Sequence, residues 1–213
     1  MDENIKWYHD LQIRRLLDNI SDNNMQGFYV KTRKELLTKV NELIPKGSVV
    51  GVGDSMTLFE TGIIDLLRQK DYIFLDKYQE NLTRTEKDQL YSDVFSADSF
   101  LCSTNAITEE GELYNIDGYG NRVAAMIFGP KQVIIVAGKN KIVKDLEEAK
   151  NRVKNIAAPI DAKRLNKNTP CTKVGYCVDC NSKDRICNNI TIIKKQLKKD
   201  RIKIIIVDEN LGY

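Results

Sequence analysis

Short runs of apolar residues alternate with longer amphipathic segments along this chain. The runs 48–52, 132–137 and 201–208 are rich in valine and isoleucine, which is typical of strands buried on both faces. Residues 36–44 carry apolar side chains at helical spacing, and a long charged helix is predicted over residues 141–156. Strands that alternate with helices favour an α/β fold with an open, mainly parallel sheet and flanking helices.

The alternation continues along the chain without an internal repeat or a low-complexity linker. We therefore expect a single α/β domain over residues 1–213, which is an ordinary length for one domain. Its first part, residues 1–25, is predicted to be a helical N-terminal extension. A cysteine-rich loop at residues 166–190 is expected to be inserted between elements of the same domain.

Two glycine turns follow predicted strands and precede predicted helices. The first is the segment 51–57, GVGDSMT, and the second is the segment 117–120, DGYG, after a strand at 112–116. In open α/β sheets such turns converge at the carboxyl ends of the strands, where ligands bind. Their backbone N–H groups attract anions, and Ser55 and Thr57 add hydroxyl groups. Alternatively, both segments are simple tight turns, and Asp117-Gly118 is a hairpin turn.

Charged side chains surround the second glycine turn. Arg122, at the start of the following helix, is predicted to hold a carboxylate or phosphate through two hydrogen bonds. Glu60, Glu112 and Asp117 are candidates for a catalytic acid, base or nucleophile. The chain has a single histidine, His9, so acid–base chemistry is expected to fall to carboxylates, lysines or a metal.

Four of the five cysteines lie close together near the C-terminus. Cys171, Cys177, Cys180 and Cys187 follow the spacing C-x5-C-x2-C-x6-C, which suits an all-cysteine metal site. An iron–sulfur cluster of the [4Fe-4S] type and a structural zinc both remain open. The spacing lacks the paired CxxC motifs of zinc ribbons, which favours the cluster. The fifth, Cys102, is interpreted as a small buried core residue and not as a nucleophile.

Charge and hydropathy narrow the choice of partners. The net charge is +3 with both signs interspersed, and no stripe of basic and aromatic residues predicts nucleic-acid binding. No run approaches the ~18 apolar residues of a membrane span, and the N-terminus has no apolar signal core. We therefore expect a cytoplasmic protein, in which clustered cysteines are ligands and not disulfides. The apolar C-terminal strand is a candidate for pairing with a second copy in a homo-oligomer.

Three stretches carry a resemblance to a known family. They are GVGDSMTLFETGI, STNAITEEGELYNIDGYGNRVAAMIFGPKQVIIVAGKNKIV and PCTKVGYCVDCNSKDRICN. Over residues 10–213 the chain resembles the lactate-utilisation (LUD) domain family, in a short form without a ferredoxin-like extension. The resemblance implies a fold like that of ribose-5-phosphate isomerase, glucosamine-6-phosphate deaminase and CoA transferases. Some family members are subunits of an iron–sulfur system that oxidises L-lactate, so partner subunits of a redox complex are implied.

The resemblance also marks positions in the shared motifs. By analogy with the distant isomerases and transferases, Glu112 or Asp117 is implied as the acid or base, and Glu60 belongs to the same motif set. The motif positions that would bind the ligand are Gly51, Gly53, Ser55, Thr57, Thr104, Asn105, Asn115, Gly118, Gly120, Asn121 and Arg122.

Three hypotheses about function follow, and they leave open whether the isolated chain is an enzyme. The first is an oxidoreductase component that helps to oxidise a small hydroxy acid such as lactate, with the cluster as its redox centre. The second is a non-redox enzyme for a phosphorylated or CoA-linked small acid, with a structural zinc. The third is a binding module that holds a small anionic metabolite without turnover.

Overall fold

The computed structural model describes residues 2–213, and its main layer is a parallel β-sheet. The strands of this sheet are β1 (Gln26–Val30), β2 (Val49–Val52), β3 (Ile73–Phe74), β4 (Ser99–Cys102), β7 (Gln132–Gly138) and β10 (Ile202–Val207). Their order across the sheet is β1-β10-β7-β4-β2-β3, and every neighbouring pair is parallel. The predicted α/β fold with an open, mainly parallel sheet is confirmed.

A second, smaller sheet stands at the carboxyl edge of the first. It consists of β5 (Ala106–Thr108), β6 (Leu113–Asp117), β8 (Ile142–Val143) and β9 (Asn189–Ile193), in the order β8-β5-β6-β9. β6 runs antiparallel to both β5 and β9. Because β5 follows β4 closely and β8 follows β7 after one 3₁₀ turn, the carboxyl ends of the main strands lead directly into this sheet.

Helices cover both faces of the main sheet. The helices of the described residues are α1 (Glu3–Asp22), α2 (Arg33–Leu43), α3 (Met56–Glu60), α4 (Ile63–Gln69), α5 (Arg84–Asp93), α6 (Asn121–Ile127), α7 (Leu146–Arg152), α8 (Ala158–Arg164) and α9 (Cys171–Val174), of which α7 packs on the second sheet. On one face Leu16 of α1 packs in a buried cluster with Val133 and Ile135 of β7. On the other face Leu36 of α2 belongs to a cluster with Ile134. Successive side chains of β7 point to opposite faces of the sheet, and both faces are buried. This explains the continuous apolar run of β7.

The predicted helix over residues 141–156 has different bounds. A 3₁₀ turn and β8 occupy its first residues, and α7 begins only after Asp145, whose side chain accepts hydrogen bonds from the Glu147 and Glu148 N–H groups. The helix then passes through a π-helical turn, Val153–Ala157, and continues as α8 to Arg164. The capping side chain of Asp145 therefore determines where α7 begins, and apolar spacing alone predicted this start too early.

Two further expectations are tested by the strands. β6 includes Asp117, one residue beyond the predicted strand at 112–116. Both edges of β10 are hydrogen-bonded within the chain, to β1 and to β7, so the expected pairing of this strand with a second copy is wrong. No helix within residues 2–213 combines the length and the apolar character needed to cross a membrane.

Candidate functional site

A cavity of about 400 Å³ opens at the carboxyl edge of the main sheet. Its wall includes the polar turns that follow β2 and β4 and the end of β6, as expected for a ligand site of an open α/β sheet. We call it the lysine cavity, because Lys141 lines it together with Thr57, Ser103, Asp117 and Arg122. The topology of parallel strands therefore brings residues that are distant in sequence to one place.

Lys141 is a buried lysine that forms no salt bridge within residues 2–213, although the charge of Glu60 acts on it from a greater distance. Its side chain is only 2% exposed, and its Nζ donates hydrogen bonds to Thr57 Oγ1 at 3.1 Å and to Ser103 Oγ at 2.8 Å. Burial, reinforced by the positive charges of Arg152 and Arg122, lowers the pKa of Lys141 from 10.5 to about 7. Near neutral pH a large fraction of this side chain is therefore an uncharged amine, which can act as a base or a nucleophile.

The C-terminal segment lies beside this lysine, since a Cβ on Gly212 would be 3.6 Å from Lys141 Nζ. Asn140 holds the segment through two contacts, since its Oδ1 accepts from Leu211 N–H and its Nδ2 donates to the Gly212 carbonyl. Gly212 has a positive φ of 53°, and a Cβ at this position would lie 2.6 Å from Thr57 Oγ1. Only glycine lets the chain approach the hydroxyl of Thr57 this closely.

Arg122 lies on the same wall, but its hydrogen-bond donors already have partners within the protein. Its Nε lies 3.3 Å from Asp117 Oδ2, and the two side chains are nearly buried. The remaining N–H groups donate to the side-chain oxygens of Asn105 and Asn115 and to the main-chain oxygens of Ser103 and Ile116. A guanidinium has five N–H groups, and all are engaged within the protein. Arg122 thus ties the end of β6 to the turn after β4, and its contact with a ligand remains a prediction.

A second cavity, of about 320 Å³, is lined by all four clustered cysteines. We call it the cysteine cavity; its thiols belong to Cys171, Cys177, Cys180 and Cys187. Burial raises the pKa of Cys187, Arg185 opposes the increase, and the other three cysteines add to it. The sulfur atoms have polar neighbours, since Asp179 N–H donates to Cys177 Sγ at 3.3 Å. Within residues 2–213, no three metal-ligating side chains are arranged to hold a single metal ion.

The two cavities share part of their walls. Residues common to both are Ile116, Val153, Ala158, Arg185 and Ile186. Arg185 donates hydrogen bonds to the carbonyl oxygens of Cys180, at 2.7 Å, and Cys187, at 3.0 Å. One guanidinium therefore fixes the backbone of the cysteine segment and reaches the lysine cavity.

The cysteine segment also packs on the second glycine turn and on the π-helical turn. Asn188 N–H donates to the Asp117 carbonyl, and Cys177 N–H donates to the Lys154 carbonyl. A Cβ on Gly118 would lie 3.1 Å from the Ile186 carbonyl oxygen, so a side chain there would push the segment away. π-helical turns of this kind are frequent at functional sites.

Comparison with known proteins decides the family. A family model described as the LUD domain matches residues 13–207, which is most of the chain. This chain belongs to the LUD domain family. The resemblance seen in the three sequence stretches is thereby confirmed.

One solved structure supports this fold, and two others are similar to a lesser degree. A DUF162 family protein from Deinococcus radiodurans is similar with a TM-score of 0.54 at 15% sequence identity, over 93% of this LUD domain and 96% of that chain. eIF2B beta from Chaetomium thermophilum gives 0.39 at 13% identity, over 55% and 44%. Ribose 5-phosphate isomerase A from Methanocaldococcus jannaschii gives 0.35 at 17% identity, over 55% and 56%. No protein of curated function matches the sequence significantly.

The LUD domain brings seven of the eleven predicted ligand-binding residues to the lysine cavity. Those on its wall are Ser55, Thr57, Thr104, Asn105, Gly118, Asn121 and Arg122. Those outside the wall are Gly51, Gly53, Asn115 and Gly120. Two of these glycines make room for neighbours, because a Cβ on Gly51 would lie 2.6 Å from Val94 and one on Gly53 would lie 3.1 Å from Arg122.

Only one of the three candidate catalytic carboxylates lies on this wall. Asp117 does, with Oδ2 beside Arg122 and Oδ1 accepting from Gly120 N–H at 2.6 Å. Glu112 precedes β6, at the opposite end from Asp117, and lies 3.0 Å from Lys194. Glu60 accepts a hydrogen bond from Gly212 N–H at 2.8 Å and does not line the cavity.

The LUD domain's buried lysine was missed by the sequence analysis. The signal was present in the stretch GKNKIV, which follows the clearest buried strand and therefore lies at the carboxyl edge of the sheet. Lys141 was instead assigned to the first turn of a charged helix. Cys102 is completely buried, and burial raises the pKa of its thiol to about 12, so it is a core residue as expected.

Proposed function

We propose that this LUD domain binds a small hydroxy acid of the lactate type in the lysine cavity, beside an iron–sulfur cluster held by Cys171, Cys177, Cys180 and Cys187. The observation that carries the proposal is the shared wall between the two cavities. A substrate in one cavity and a redox group in the other would be separated only by side chains such as Ile116 and Ile186. This arrangement suits an oxidoreductase component that passes electrons to a partner subunit.

The spacing of the four cysteines favours a cluster over zinc, because it lacks the paired CxxC motifs of zinc ribbons. The four thiols line a cavity of about 320 Å³, which leaves room for a group larger than a single ion. When bound, a cluster would supply one-electron transfer, and N–H groups near sulfur, such as that of Asp179, are known to tune its potential.

The walls of the lysine cavity suit an anionic substrate. Basic residues outnumber acidic ones there; the charged residues are Arg122, Lys141, Arg164, Lys167, Lys183, Arg185, Asp54, Asp117, Asp161 and Asp184. A surplus of positive charge in a cleft attracts a carboxylate. Lys141, as a partly neutral amine, can accept the hydroxyl proton of the substrate at Nζ, while Arg122 and Asp117 keep the strand ends in place.

The first test is elemental analysis of protein purified without oxygen. We expect about four irons and a matching amount of acid-labile sulfide per chain. The variant Cys177→Ser should lose most of this iron, and the matched control Cys102→Ser should keep it because Cys102 lies in the core. Titration with L-lactate should then reduce the cluster, seen as bleaching of the visible absorption, with the two electrons of each lactate shared between the clusters of two chains. One zinc per chain without iron would contradict the proposed role in electron transfer.

The size of the lysine cavity favours a second candidate, a phosphorylated or CoA-linked small acid with a structural zinc. Cavities of about 300 to 1,000 Å³ hold ligands much larger than lactate, and this one is about 400 Å³. Thermal stabilisation separates the candidates, since only a ligand that binds the folded state raises the melting temperature. A rise with sugar phosphates or acyl-CoA, and none with lactate, would favour the second candidate.

A further inference from the structure

The two buried lysines near the lysine cavity have opposite surroundings. Lys77 is buried, but its Nζ lies 3.0 Å from Asp54 Oδ1, so an acid compensates its charge. Lys141 is buried more deeply, and its hydrogen-bond acceptors are the hydroxyls of Thr57 and Ser103. A buried ammonium without a counter-ion loses its proton easily, whereas an ion-paired one keeps it.

We propose that Lys141 is a nucleophile that forms an imine with the carbonyl carbon of an anionic oxo acid bound in the lysine cavity. The proposal deepens the proposed function and rests on its placement of the substrate, because oxidation of a 2-hydroxy acid gives a 2-oxo acid. The site would therefore hold the oxidised partner of the hydroxy acid covalently.

The reaction requires no other reactant. The lone pair of the neutral Nζ forms a bond to the carbonyl carbon, and the carbonyl π electrons move to oxygen, which takes up a proton while the nitrogen loses one. The resulting carbinolamine loses its hydroxyl group and the remaining Nζ hydrogen as water, and a C=N bond forms. Thr57 Oγ1 and Ser103 Oγ lie within hydrogen-bond distance of Nζ and can relay these protons.

The surroundings of Lys141 favour an anionic carbonyl compound over a neutral one. Basic residues outnumber acidic ones on the wall, and Arg152, close enough to Lys141 to lower its pKa, adds a further positive charge. A carboxylate next to the carbonyl group would offset these charges. A sugar or an aldehyde without charge would leave them unbalanced.

The experiment traps the imine in the wild-type protein. The full chain, purified without oxygen, is incubated with pyruvate and treated with sodium cyanoborohydride, and the intact mass is measured. We expect a single adduct whose added mass equals one pyruvic acid less one oxygen atom, located at Lys141 by peptide mapping. Acetate, a carboxylate without a ketone or aldehyde carbon, should give none. Because the pKa of Lys141 is about 7, adduct formation should increase as the pH rises through 7.

Variants separate the nucleophile from a mere positive charge. Lys141→Arg keeps the charge but cannot form an imine, so it should reduce the adduct at least about tenfold. Lys139→Arg, two residues away and paired with Asp208, should leave it unchanged. Circular dichroism checks the fold of each variant. Peptide mapping of the wild-type protein needs no variant, so misfolding of Lys141→Arg cannot conceal the answer.

Defined outcomes would overturn the inference. It fails if neither pyruvate nor glyoxylate labels Lys141, or if label spreads over the exposed lysines at the same rate. It also fails if pyruvate stabilises wild type and Lys141→Arg equally without an adduct, since Lys141 is then only a counter-ion. Labelling needs no cluster. If pyruvate labels Lys141 but lactate does not reduce the protein, the proposed function is contradicted and the imine is not. If lactate reduces the protein but Lys141 is not labelled, the imine is contradicted and the proposed function is not.

Discussion

The lysine cavity and the cysteine cavity share a wall, yet the chain builds them by different means. The lysine cavity is edged by the ends of hydrogen-bonded strands, and Arg122 ties two of those ends together. The cysteine cavity is bounded on one side by residues 171–187, where the only regular element is the four-residue helix α9. Three of its four cysteines are partly exposed.

From this difference we expect the lysine cavity to form before a ligand binds, and the cysteine segment to gain order if it binds a metal group. The sheet and its two apolar cores fix the lysine cavity whether or not a substrate is present. The cysteine segment has few buried apolar side chains, so a bound metal group would supply much of its order. Substitutions on the two sides should therefore differ in their effects on stability and on metal content.

The largest expected effect on the lysine side comes from Lys141→Met. The pKa of Lys141 is about 7 when folded and 10.5 when unfolded, so the unfolded chain binds more protons between these values. The wild type should therefore gain stability as the pH rises from 7 towards 10.5, by at most about 5 kcal/mol. The variant lacks this gain, so its advantage should be greatest below pH 7.

Urea unfolding at several pH values measures this difference. Lys139→Met is the matched control, because Lys139 is about half exposed and its ion pair with Asp208 lies at the surface. Its stability relative to wild type should hardly change between pH 6 and 9. A flat difference for Lys141→Met as well would show that the buried amine stays charged.

Arg122→Ala should cost about 3 kcal/mol of unfolding free energy, since it leaves the nearly buried Asp117 carboxylate without its partner. Arg164→Ala is the control: its ion pair with Asp161 is about one-third exposed, so the loss should be below about 1 kcal/mol. Chemical denaturation compares the two. Equal losses would mean that the Arg122 network does not hold the strand ends.

A pair of glycine substitutions compares crowding of the cysteine segment with crowding of Arg122. In both Gly118→Ala and Gly53→Ala the new Cβ would meet a neighbour at 3.1 Å, the Ile186 carbonyl or the Arg122 side chain. Each should cost about 1 to 2 kcal/mol through crowding. Only Gly118→Ala, which presses on the cysteine segment, should also lower the iron content. Loss of iron in both variants would remove the distinction between the cavities.

The smallest global effect is expected for Arg185→Lys. A lysine cannot donate to the Cys180 and Cys187 carbonyls together in the fixed geometry of a guanidinium. Global stability should change by less than about 1 kcal/mol, because the sheet is not involved. Amide exchange in residues 177–188 should become about tenfold faster. The exposed Lys183→Ala should leave this exchange unchanged.

The sequence predicted what local patterns encode and missed what depends on distant neighbours. β7 and β10 were recognisable because both of their faces are apolar, and the glycine turns followed from their positions after strands. The low pKa of Lys141 depends on its burial and on the charge of Arg152, and the segment around Gly212 lies beside it; no local period reveals these distant neighbours. Glu112 and Asp117 belong to one motif. They nevertheless lie at opposite ends of β6, because a strand rises about 3.3 Å per residue.

The position of β10 has a consequence for biosynthesis. β10 lies between β1 and β7, so the main sheet stays in two pieces until residues 202–207 have been made. β1 has no other hydrogen-bonded neighbour in this sheet, so it cannot join the main sheet before β10 has been made.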